Sequence, residues 1–249
     1  MHERLGEQLT VDEIARAAMF SKFHFTRMFQ RVTGVSPGRF LSALRLQRAK
    51  ELLVSTSMSV VDISVSVGYN SVGTFSSRFS RSVGMSPTAF RQHAGYHSEV
   101  RADTDDVHLT DASLFCEVHP GNRDENTLTF VGLFPERVPE GRPVRCAVLR
   151  QSRHITFTHA PAGRWFLLAQ SVTADRRPPG QPRDHADRPV AVATAGPIVI
   201  RPGKPISTEL VLRPGRALDP PVLLEVRSHA LSRRVEGPAQ PAETYADAA

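Results

Sequence analysis

Residues 20–34 read FSKFHFTRMFQRVTG. Phe25, Met28, Phe29 and Val32 recur at helical spacing, so the stretch is expected to bury one apolar stripe. Lys22, Phe23, Thr26, Arg27 and Arg31 fall on the other faces, and no carboxylate lies among them. A surface helix ordinarily mixes both signs of charge, which limits self-repulsion. A basic, partly aromatic outer face undiluted by acid calls for a partner that carries negative charge.

The wider charge pattern agrees. The chain has 249 residues and a formal net charge of +6. Residues 1–98 hold 12 Lys and Arg against 6 Asp and Glu, whereas the remainder holds 19 of each. No acid occurs between Glu13 and Glu51, where eight basic residues lie. None occurs between Asp62 and Glu99, where Arg78, Arg81 and Arg91 lie. Two acid-free stretches, each centred on a short helix, point to a polyanion.

The composition also excludes classes. The length allows one large domain or two ordinary ones. No apolar run reaches the length of a membrane span, and the opening MHERLGEQLT lacks the apolar stretch of a secretory signal. Cys116 and Cys146 have neither disulfide-framework nor metal-site spacing and read as buried small hydrophobes. The expectation is a cytoplasmic protein without metal or cofactor.

The stretch from Leu9, LTVDEIARAAMFSKFHFTRMFQRVTGVSPGRF, recurs from Met58 as MSVVDISVSVGYNSVGTFSSRFSRSVGMSPTAF. Ile14 matches Ile63 at an offset of 49, and Phe25, Phe29, Gly34, Pro37 and Phe40 match Phe75, Phe79, Gly84, Pro87 and Phe90 at an offset of 50. The added residue therefore falls in the turn of the second copy. Thr10-Val-Asp-Glu13 is a capping box and Ser59-Val-Val-Asp62 its weaker echo. A short helix follows each, with Ile14, Ala17 and Ala18 inward in one copy and Ile63 and Val67 in the other. Second helices are expected over about 21–33 and 71–83. Gly34 and Gly84 end them, and Ser36-Pro37 and Ser86-Pro87 start the next helix. GRFLSALRLQRAKELL between the copies is amphipathic, with Phe40, Leu41, Leu44, Leu46, Leu52 and Leu53 available for burial. A helix, a tight turn and a second helix with a basic face form a helix-turn-helix.

These segments, through HFTRMF, G-x-SP, RLQRAKELL, GYNSVGTFSSRF and SPTAFR, resemble the DNA-binding domain of AraC/XylS-type transcriptional regulators over residues 1 to about 94. The resemblance implies a bacterial-type, sequence-specific regulator whose two units read successive major-groove segments of double-stranded DNA. It places base and phosphate contacts of the first unit on Phe23, Thr26 and Arg27, with Lys22 and Arg31 beside them. In the second unit the equivalents are Val72, Gly73, Thr74 and Ser77. The family often carries Arg at position 77, so Ser77 weakens direct readout there, and Arg78 and Arg81 are expected to hold phosphates instead. The family's first helix starts several residues before a stretch like MHERLGEQLT, and at most two of its turns remain here.

Beyond residue 97 the character changes. Residues 98–112 are polar and acidic and read as a linker. Residues 113–236 hold short alternating or apolar runs: SLFCEV, TLTFVGLF, VRCAVL, ITFTH, RWFLLAQSV, VAVATA, PIVI, TELVLR and VLLEV. Some eight strands and no helix predict an antiparallel β-sandwich or small barrel. The expected fold is thus multidomain, all-α then β. The β part is similar to transthyretin-like or carboxypeptidase-regulatory-like sandwiches, in the order FVGLFPERVPEGRPVRCAVL to ITFTHAPAGRWFLLAQ. Residues 175–189 read as an exposed loop, Trp165 as a core anchor, His154 and His159 as scattered rather than a metal set, and 237–249 as a disordered tail.

AraC-type readers also occur fused to methyl-accepting repair domains with a reactive cysteine in a PCHR-like sequence. Cys116 lies in FCEVHP and Cys146 in VRCAVL, and no nucleophile elbow, P-loop or paired carboxylates appear. The reading is therefore a non-enzymatic regulator whose β-domain senses a small-molecule effector, self-associates or contacts a protein such as RNA polymerase. A reader fused to an enzyme and a low-specificity architectural protein are the alternatives.

Overall fold

The structure is a computed structural model and describes residues 5–7, 9–93, 109–119, 127–138, 140–150, 152–173 and 191–221. The run VLLEV, the segment 175–189 and the tail from 237 lie outside the described residues, as do residues 1–4 of the expected opening helix.

Among the described residues six helices come first: α1 Val11–Ala17, α2 Lys22–Thr33, α3 Pro37–Ser55, α4 Val60–Ser66, α5 Val72–Val83 and α6 Pro87–Gln92. Each is capped by a Ser or Thr whose side chain accepts a first-turn backbone N–H. Thr10 and Glu13 complete the capping box, with Thr10 N donating to Glu13 Oε2 at 2.8 Å. Gly34 and Gly84 take the left-handed cap conformation at φ 78° and 88°.

The two copies bury their apolar residues unequally. In the second, Phe75, Phe79 and Phe90 pack with Ala43, Leu46, Ala49 and Leu53 of α3, and Phe79 meets Phe90 edge-on at 5.5 Å. Arg91 ties this unit together by donating to the carbonyls of Leu53 (3.1 Å) and Met58 (2.6 Å). In the first, Phe25 and Phe29 are only half-buried, and Phe29 meets Phe40 at 5.3 Å. Met28 and Val32 are 40% and 63% exposed, so the expected four-residue stripe closes over two residues only. Ala17 and Ala18 are exposed as well, and Ala15 takes the inward position. The cause is the packing partner. The second unit lies between α3 and α6, whereas no described helix stands to α1 and α2 as α3 stands to α4 and α5.

Among the described residues seven strands follow: β1 Leu109–His119, β2 Thr127–Phe134, β3 Arg145–Leu149, β4 His154–Pro161, β5 Gly163–Thr173, β6 Ala191–Ile200 and β7 Ile206–Val211. They form a three-stranded sheet, β4-β1-β7, and a four-stranded sheet, β3-β2-β5-β6. β1 starts inside the stretch expected to be linker, because Leu109 pairs with Pro161 of β4. VAVATA and PIVI fall in one strand, whose pairing with β5 shifts register at Gly196-Pro197, from Leu167↔Ala195 to Trp165↔Ile198. β7 pairs with β1 in parallel, from Leu114↔Ile206 to His119↔Val211, so the smaller sheet is not purely antiparallel. The two sheets close on Leu114, Cys116, Val131, Leu133, Leu167 and their neighbours, with Trp165 anchored by its indole N–H to the Pro161 carbonyl at 3.0 Å.

Strand β2 of the larger sheet is buried on its other face too. Successive residues of a strand alternate sides. With Val131 and Leu133 in the sandwich core, Leu128, Phe130 and Phe134 face away from it, and all three are at most 3% exposed. Gly132 sits between the two phenyl rings, where a Cβ would meet Phe134 at 2.7 Å and Phe130 at 3.0 Å.

The loop from β2 to β3 joins this domain to the helices. Val138 packs with Val35, Phe40 and Leu44. Arg39 pairs with Glu136 at 3.0 Å and with Glu140 at 3.6 Å. The Arg137 side chain lies across Gly34, filling the space a Cβ would take. Gly141 N donates to the Ser82 carbonyl at 2.9 Å. One loop thus covers the C-terminal ends of both α2 and α5, with a cation and an N–H donor where helix carbonyls lack partners.

Two backbone positions give direct checks. Met19 has φ 58° and is 92% exposed, at the position where the second copy has Gly68 at φ 88°. Met19→Gly should therefore raise stability by about 0.5–1 kcal/mol, and Met19→Val should lower it, because a left-handed conformation costs roughly 1–2 kcal/mol for an L side chain. Thermal melts of both variants decide this; a lower midpoint for Met19→Gly contradicts the turn. Gly34→Ala should cost about 1–2 kcal/mol through its positive φ. It should also displace Arg137, seen as faster hydrogen exchange at the end of α2.

Candidate nucleic-acid interface

The positions singled out in the sequence lie on two helices of 12 residues each. Neither has an acid in its first turn, while Arg31 and Arg81 stand in the last turns. The helix N-terminus carries unpaired N–H groups and partial positive charge, so a first turn without carboxylates suits a phosphate oxygen. Ser21 and Ser71 satisfy one N–H each, that of His24 and of Thr74, both at 3.4 Å.

On α2, Lys22, Phe23, Arg27 and Arg31 are exposed and Thr26 is half-buried. Phe23 is 85% exposed, so it does not fill a core. Lys22 Nζ meets Asp12 of α1 at 3.0 Å with both side chains about half in solvent. Such a pair is worth little and yields readily to a phosphate. On α5, Val72, Gly73, Thr74, Ser77 and Arg81 are exposed. Arg78 differs: it is half-buried and its Nε donates to Ser42 of α3 at 3.4 Å. Arg91, counted among the basic residues of the second acid-free stretch, is spent on the carbonyls of Leu53 and Met58.

Helix α3 sets the separation of the two units. Its 19 residues span about 28 Å. Successive major-groove faces lie roughly 34 Å apart. The loop 135–142, absent from the sequence-based candidates, supports both helices from behind; only its Pro and Gly content marked it, and that pattern signals a turn without saying what it touches.

Neither cysteine is in a disulfide. Burial pushes the Cys116 thiol up to about 11, which leaves it protonated and a poor nucleophile at neutral pH. Among the described residues no group of three His, Cys, Asp or Glu is arranged to hold a metal ion. No described helix is long and apolar enough to cross a membrane.

Comparison with known proteins places the helical part. A family model described as a helix-turn-helix domain matches residues 14–93. The MmsAB operon regulatory protein of Pseudomonas aeruginosa is 36% identical over 92 residues, covering 37% of this chain and 30% of that protein. The HTH-type transcriptional activator AarP of Providencia stuartii is 30% identical over 94 residues, covering 37% of this chain and 70% of that protein. Among solved structures, an AraC-type DNA-binding transcriptional regulator from Chromobacterium violaceum is 32% identical and covers 38% of this chain and 84% of its own, at a TM-score of 0.37. That low score leaves the assignment to the sequence match. The chain spans 30%, 28% and 38% of the length of three of the curated relatives it matches. On the repeat, the caps, the two exposed helices and these matches, the chain belongs to the AraC-type family of helix-turn-helix transcriptional regulators.

Proposed function

We propose that this chain is a cytoplasmic, non-enzymatic transcription regulator that binds double-stranded DNA in a sequence-specific manner through α2 and α5. One observation supports this most: two helices at equivalent positions of a repeat both present acid-free, exposed N-terminal turns on an acid-poor domain. Within that reading, Arg27 pairs with a guanine edge and Phe23 and Thr26 touch thymine methyl groups. Lys22, Arg31 and Arg81 neutralise phosphates, which supplies affinity without sequence information. On α5, Val72, Gly73, Thr74 and Ser77 give a shallow apolar and hydroxyl surface without a cation, so this unit discriminates less. Arg78, held toward Ser42, positions α5 more than it grips DNA. The β-domain keeps the two units in register through its β2–β3 loop.

Selection of bound duplexes from a random pool by the full chain should return a defined motif with a stronger and a weaker half. Binding to it should fall steeply and linearly in log salt, since phosphate neutralisation releases counterions. Arg27→Ala should cost roughly 1–3 kcal/mol at the selected site and relax one base position. Ser77→Arg should raise general affinity. A pool with no motif indicates an architectural DNA-binding protein, and equal weakening of all sequences by Arg27→Ala makes that residue a phosphate contact.

A further inference from the structure

A cavity of about 290 Å³ opens between the last turn of α2 and the outer face of the four-stranded sheet. This volume is near the lower bound of small-molecule sites. Phe130, Phe134 and Leu168 line it with apolar surface, and Val32 and Thr33 of α2 close it from the helical side. Thr33 has its hydroxyl committed to the carbonyls of Phe29 and Val35, so it presents no spare donor. Arg213 and Asp219, also on the wall, are bound to each other at 2.7 and 2.6 Å and ask no charge of an occupant. Arg137, also on the wall, is exposed to solvent, so Gln170 is the buried exception. It lies on the wall, is 8% exposed, and its Oε1 has no hydrogen-bond partner. A buried acceptor left unpaired is costly unless something supplies a donor.

We propose that this cavity is an effector site for a compact, mainly apolar molecule carrying one hydrogen-bond donor, and that α2 registers its occupancy. The molecule sits against the two phenyl rings and Leu168 and donates to the Gln170 amide. Its other wall is the end of α2 and Arg137, the side chain that lies across Gly34. Occupancy therefore bears on the orientation of α2 and on the loop that joins it to α5. A ligand shifts a conformational balance only through unequal affinity for its states, and a site shared by two domains provides that inequality. The regulatory half of this proposal rests on the reading of α2 as a DNA-contacting helix.

The test uses the full chain with phenol and toluene, which differ by a hydroxyl in place of a methyl. Calorimetry should show phenol binding about tenfold more tightly than toluene, the worth of one well-placed hydrogen bond. Gln170→Leu, similar in volume, should abolish that preference while keeping or raising the melting temperature. Thr194→Trp, at an exposed position on the cavity wall, should remove binding of both probes without unfolding the chain. Phenol should change affinity for the selected duplex several-fold in the parent and not in Thr194→Trp. Absence of binding by either probe, or unchanged binding in Thr194→Trp, overturns the site. Phenol binding that leaves DNA affinity unchanged overturns the regulatory half. A chain that binds no duplex at all defeats the DNA reading instead, and calorimetry still decides the cavity.

Discussion

The loop between β2 and β3 is the constraint on which the arrangement of α2 and α5 depends. It contributes Val138 to a small cluster with Val35, Phe40 and Leu44, engages Arg39 with two carboxylates, and reaches the ends of both helices. The second helix-turn-helix unit has a core of its own, with Phe75, Phe79 and Val83 fully buried. The first does not; Phe25 and Phe29 are half-covered, and part of its apolar contact comes from the β-domain. An element with a thin core responds to its neighbours, because its local opening free energy is low. The unit with the more richly basic outer face is therefore also the unit most sensitive to what the β-domain does.

That asymmetry suits a regulator. Burial is concentrated in α3–α6, and α2, the reader under the proposed function, rests on a loop and a cavity wall. The charges follow the same division. Arg91 and Arg78 are turned toward α3, where they hold helices together, while Arg27 and Arg31 stay in solvent. The net positive charge of the domain is thus an upper bound on what a polyanion meets.

Local signals in the sequence carried much of this. The capping box at Thr10, the serine caps, Gly34 and Gly84, and the repeat that aligns Phe25 with Phe75 all concern residues a few positions apart, and all appear as read. What was illegible was non-local. Periodicity identified the stripe of Phe25, Met28, Phe29 and Val32 but not whether a partner covers all of it. VAVATA and PIVI read as separate runs, yet they form one strand that shifts register against β5 at Gly196-Pro197. Nothing near Ile206 announces that β7 will run parallel to β1. The run TLTFVGLF read as a strand, and its burial on both faces came only with the structure. Charge counting located the basic surface and could not tell that Arg78 bends inward.

The coupling of the two readers through the β-domain is tested most directly by a distance measurement. Spin labels at His24→Cys on α2 and Thr74→Cys on α5, both exposed, would be placed in a chain carrying Cys116→Ala and Cys146→Ser. Pulsed electron resonance should give one narrow distance distribution. It should broaden when Val138→Asp removes the apolar contact of the loop with Val35, Phe40 and Leu44. A distribution that is already broad with Val138 in place, or one that stays narrow in Val138→Asp, would show that the β-domain does not set the spacing of the two helices.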